Sequence, residues 1–94
     1  MPIIWTDEAI DDLVEIVSYY LEQAGSVTAE AVQTRIVSQI EALQEFPERI
    51  RQSERVPGAR ELVIRRLPYI VFVQVDRDVL TVLNVVHTAR RFPP

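Results

Sequence analysis

The sequence predicts an α+β fold: an opening β-strand, an α-helical hairpin packed on one face of a small mainly antiparallel sheet, and a C-terminal three-strand meander (β-α-α-β-β-β). Three observations lead there. Between Arg60 and Arg91, short apolar runs alternate with turn signals, which is how consecutive antiparallel strands read. Between Thr6 and Phe46, apolar residues recur instead at spacings of three and four, the period of a helix face. Finally, 94 residues with 48% apolar side chains and two glycines suit one domain, residues 1–94, with a single modest core.

In chain order, Pro2-Ile3-Ile4-Trp5 is an apolar run too brief for a helix and suited to an opening strand. Thr6 followed by Asp7 and Glu8 marks a helix start, a capping hydroxyl and then two carboxylates against the positive end of the dipole. Ile10, Leu13, Val14, Val17, Tyr20 and Leu21 form its apolar stripe, and Gly25 ends it. Of the adjacent Tyr19 and Tyr20, only Tyr20 is in phase with the stripe. A second helix, capped by Thr28, carries Ala29, Val32, Ile36, Ile40 and Leu43, with Phe46 following and Pro47 closing it. The linker of two to four residues implies an antiparallel helical hairpin. Residues 47–59 form a polar connection ending in a Pro-Gly turn, long for so small a domain.

Alternation assigns the faces of the last strands. Tyr69, Val71, Val73 and Val75 oppose Ile70, Phe72 and Gln74; Val79, Thr81, Leu83, Val85 and His87 oppose Leu80, Val82, Asn84 and Val86. Both faces are substantially apolar, yet two helices can cover only one of them. The second face therefore predicts a partner site.

Charge divides the chain. Residues 1–48 carry ten acids and one arginine, residues 49–94 four acids and nine arginines, so a net −4 conceals an acidic helical half and a cationic sheet half. No lysine is present. The absence of cysteine excludes disulfides and thiol chemistry, and a single histidine gives no metal-ligand spacing, so no cofactor or metal is expected. With no secretory n-region and no long apolar run, the chain is expected to be cytoplasmic and free of the membrane.

The ordered set Arg60-Glu61-Leu62, Pro68-Tyr69 and Val86-His87-Thr88-Ala89-Arg90-Arg91, after a strand and two helices, resembles the RelE/ParE superfamily of type II toxin–antitoxin modules. The resemblance spans nearly the whole chain. It implies a toxin with a cognate antitoxin, ParD-like or other, laid across the uncovered sheet face, with Val71, Val73, Leu83 and Val85 as contacts; operator DNA would be met only through that antitoxin. RelE-like members cut mRNA on the ribosome, and ParE-like members poison DNA gyrase. Cleavage of RNA needs a base for the 2′-hydroxyl, cations for the phosphorane and an acid for the leaving oxygen. RelE resembles a lysine-rich solution to that task, whereas this chain has no lysine and no tyrosine after Tyr69. Its acidic total is also unhelpful for docking on a polyanion. The resemblance thus favours a ParE-like gyrase inhibitor, with Arg60, Arg65, His87, Arg90 and Arg91 as target-binding candidates. Some superfamily nucleases work with Glu, Arg and His, so Glu61, Arg65 and His87 form the alternative catalytic set of a ribosome-dependent endoribonuclease.

Overall fold

A helix needs its first free N–H groups satisfied, and Thr6 does this for the opening one: its hydroxyl accepts from the Ala9 N–H at 3.0 Å. The computed structural model describes residues 1–46 and 49–89. In it, α1 runs Asp7–Ala24 and α2 runs Ser26–Glu41, extended by a 3-10 turn at Ala42–Gln44. The expected linker of two to four residues, with Thr28 as cap, is replaced by Gly25 alone. Its φ of +89° lets one residue both accept the end of α1 and start α2, a backbone angle that costs a side chain dearly.

The sheet has the order β1-β5-β4-β3-β2, with β1 (Ile3–Trp5) parallel to β5 (Val79–His87) and every other pairing antiparallel. β3 is Arg60–Val63 and β4 is Tyr69–Asp76. The polar connection supplies an additional short edge strand, β2 (Arg51–Gln52). β4 and β5 join through Arg77 and Asp78, both at positive φ, the two-residue turn whose twist matches the strands it connects.

Against the helix-covered face pack Ala9, Leu13, Ile16 and Tyr20 of α1 and Val32, Ile36 and Ile40 of α2, with Leu43 beyond. The α2 stripe is the expected one. On α1 the expected stripe merges two: Leu13 and Tyr20 reach the core, but Ile10, Val14 and Leu21 stay about half exposed. Those three, spaced four and seven, form a separate apolar line beside the core face.

The face assignment of β5 changes part-way along. Phe72 faces Asn84 while Val73 faces Val82, so Leu83 is an extra residue, a β-bulge. Before it Leu80 and Val82 point to the helices; after it Val85 does. A bulge interrupts the ladder and leaves backbone groups that need partners. Here α1 and its cap provide them: the Thr6 hydroxyl donates to the Leu83 carbonyl at 2.9 Å, and the Asp12 carboxylate accepts from the Val85 N–H at 2.9 Å and from the Asn84 amide. Sequence alternation alone could not register this slip.

The second face is not left open as expected. Ile70, Phe72 and Val86 form a buried cluster there with Val56 and Leu83 packed against it. Val56 comes from residues 53–59, a loop closed by the Ser53 N–H donating to the Ala59 carbonyl and turned by Pro57-Gly58, with Gly58 at φ +81°. One buried carboxylate anchors the loop. Glu61 accepts from the Ser53 hydroxyl at 2.6 Å, and that hydroxyl accepts in turn from the N–H groups of Arg55 and Val56.

Candidate functional site

Two concave regions lie on opposite flanks of the helical layer. The first opens where β4 begins and β5 ends. Tyr69 and His87 are direct cross-strand partners, their rings edge to face at 5.5 Å and 85°. The His87 Nδ1 accepts from the Ala89 N–H at 3.0 Å, which leaves Nε2 to carry the ring proton when the imidazole is neutral. From α1, Tyr19 and Tyr20 approach edge to face at 5.3 Å. Tyr20 is the half-buried one and Tyr19 the exposed one, as helical phase predicts. Burial, and then the hydrogen bond with Tyr20, push the Tyr69 phenol well above the usual tyrosine range. These four rings, with Asp12 and Glu15, line a cavity of about 320 Å³.

The second region runs along α2. A groove of about 950 Å³ carries Arg35, Arg65 and Arg66 with Glu30 on its walls. It shares Gln39 and Arg65 with a neighbouring hollow of about 290 Å³ lined by Arg49, Arg51 and Glu61, so five arginines follow one continuous path. Gln39 fixes its centre: its carbonyl oxygen accepts from the Arg65 N–H at 2.8 Å, and its amide donates to the Arg65 carbonyl at 3.3 Å. A side chain thus replaces the strand that Arg65 lacks. Arg49 also lies over the Phe46 ring, 5.1 Å from its centroid.

The structure distributes the sequence-predicted site residues widely. Arg60 opens β3 and Arg65 follows its end, so they lie at opposite ends of one strand. Arg65 and Glu61 share a hollow, but Glu61 is buried against Ser53, and His87 lies in the aromatic cavity instead. Val71, Val73 and Val85 are buried beneath the helices, and Leu83 lies with the opposite cluster; the bulge is why the four do not form one surface. Arg90 and Arg91 lie outside the described residues. Sequence reasoning missed the tyrosine cluster. Only the Tyr19-Tyr20 pair and the placement of Tyr69 and His87 at facing strand ends hinted at it.

This arrangement can be set beside known proteins. The family model for the ParE toxin of the type II toxin–antitoxin system parDE matches residues 3–92. The chain belongs to the ParE toxin family. A relative from Sinorhizobium fredii (strain NBRC 101917 / NGR234), named "Putative toxin Y4kP", is 36% identical over 89 residues, which is 95% of this chain and 90% of that protein. Among solved structures, a chain described as the chromosomal ParDE TA system from P. aeruginosa superposes with a TM-score of 0.83 at 30% identity, covering 93% of this chain and 95% of that one. The ParE-family fold therefore holds over nearly the whole length. Among the described residues, no helix is long and apolar enough to cross a membrane.

Proposed function

We propose that this ParE-family toxin acts by poisoning DNA gyrase and is held inactive by a cognate ParD-like antitoxin. The match to the ParE toxin model across residues 3–92 carries this reading, and the likeness to a ParDE chain supports it. The side chains favour it over ribonuclease chemistry. A general base must reach the proton it removes, yet Glu61 accepts from Ser53 while His87 lines a different cavity from Glu61 and Arg65. The arginine groove, centred on Arg65, offers guanidinium forks to carboxylates or phosphates of a target; Arg90 and Arg91 are further contacts in this proposal. For the antitoxin, the exposed line Ile10, Val14 and Leu21 on α1 is a better docking surface than the buried valines of the sheet.

Purified chain added to gyrase and plasmid tests the reading, with a translating extract run in parallel. Linearised plasmid with intact message is the expected result, and removing residues 88–94 should abolish it. Cut message with unaffected gyrase would overturn the proposal and return Glu61, Arg65 and His87 to candidacy as a nuclease site.

A further inference from the structure

The aromatic cavity at the end of the sheet has no part in the proposal above, and its chemistry is specific enough to name a ligand. Four rings line it: Tyr19 and Tyr20 from α1, Tyr69 from β4 and His87 from β5. The Tyr69 hydroxyl stays protonated, so its ring brings no negative charge of its own. Among the described residues, the charged groups on the lining are Asp12 and Glu15, and no arginine lines it. Asp12 is committed to the Val85 N–H and the Asn84 amide, whereas the Glu15 carboxylate has no hydrogen-bond or ion-pair partner among the described residues. α1 as a whole carries six acids and no base, so the field at this mouth favours a cation. Ring faces attract a cation through their quadrupole, and a planar guanidinium adds stacking that an ammonium cannot. An anion, by contrast, would meet two carboxylates.

We infer that this cavity is a binding site for an arginine side chain presented by a partner polypeptide, with the guanidinium held among the Tyr19, Tyr20, Tyr69 and His87 rings and paired with Glu15. At about 320 Å³ the cavity admits one such side chain with its methylene stem along Ile16 and Val85. The inference does not rest on gyrase being the target, because it follows from the lining alone.

The test titrates N-acetyl-arginine amide into the isotope-labelled full chain and follows ring and backbone NMR signals. The uncharged ureido analogue, N-acetyl-citrulline amide, serves as the control. Shifts should concentrate on Tyr19, Tyr20, Tyr69 and His87, and the ureido analogue should bind roughly tenfold more weakly, as expected for loss of the cation–π and charge-assisted contacts. Glu15→Gln and Tyr19→Ala, both at exposed positions and so expected to keep a native spectrum, should each weaken binding several-fold. Equal binding of the two analogues would overturn the assignment. So would shifts confined to other regions, the absence of any shift, or unchanged affinity in both variants. Neither gyrase nor antitoxin enters the experiment, so a failure here leaves the toxin reading standing, and the converse also holds.

Discussion

The two faces of this sheet are covered by different means. On one, α1 and α2 bring a continuous apolar layer: Ala9, Val32, Ile36, Ile40 and Leu43 are buried against Leu62, Ile64, Val71, Val73, Leu80, Val82 and Val85. On the other, a seven-residue loop lays Val56 on Ile70, Phe72 and Val86 and is tied down by a single carboxylate, Glu61, through Ser53. The helical layer is redundant, since many contacts share its stabilisation. The loop layer has, beyond its own backbone closure, one side-chain anchor, and a buried carboxylate that loses its partner is costly. A carboxylate that looks catalytic in a sequence is here a fastening for the second face.

Substitutions can break that contrast. Ile36→Ala opens a void in the helical layer, where the side chain is fully buried, and should cost about 2–5 kcal/mol of unfolding free energy in urea titrations. Val56→Ala on the half-buried loop residue should cost about 1 kcal/mol. If Val56→Ala matched Ile36→Ala, the loop would be a full core layer and the distinction between faces would fail.

Glu61→Ala removes the acceptor of the Ser53 hydroxyl and should cost about 2 kcal/mol, with faster amide exchange confined largely to residues 53–59. Arg51 sits 3.6 Å from the same carboxylate, but its side chain is 70% exposed, and water screens such a pair. Arg51→Gln should therefore cost less than about 1 kcal/mol. Equal effects of the two changes would mean that the ion pair, and not the Ser53 hydrogen bond, holds the loop.

What the sequence made legible follows from how local each determinant is. The Thr6 cap, the α2 stripe from Ala29 to Leu43 and the alternation of Tyr69 to Val73 are written in neighbouring residues, and each appears in the structure where the spacing puts it. The bulge at Leu83 is not local. It depends on Thr6 and Asp12, more than seventy residues away, to satisfy its backbone groups, so the face of Val85 could not be read from β5 alone. The same holds for Gln39, whose amide completes the backbone at Arg65, and for Glu61, whose burial depends on a loop that looked merely polar. For α1 the pattern was over-rich: Ile10, Val14 and Leu21 are as apolar as Leu13 and Ile16, and periodicity cannot say which of two adjacent stripes meets the sheet.

On the helix-covered face the polar group to probe is Tyr69, held neutral by burial and by Tyr20, where Glu61 on the other face is held as an anchor. Its folded pKa lies above that of the unfolded chain, near the usual value of about 10. Below about pH 10 both states keep the proton and the contribution to stability is complete; above it the unfolded chain ionises while the folded chain holds its proton. Stability should then fall as pH rises from about 10 towards the folded pKa, with a slope of at most about 1.4 kcal/mol per pH unit from this group. Tyr69→Phe removes that dependence and, with it, the hydrogen bond to Tyr20, at a cost of about 1 kcal/mol near neutrality. Urea unfolding of the two proteins across the alkaline range should show the variant less stable at neutral pH and its curve shallower above pH 10, so that the two converge. Parallel curves would mean that Tyr69 ionises alike in both states, and the contrast between a polar group kept neutral by burial on one face and an anchoring carboxylate on the other would lose its first member.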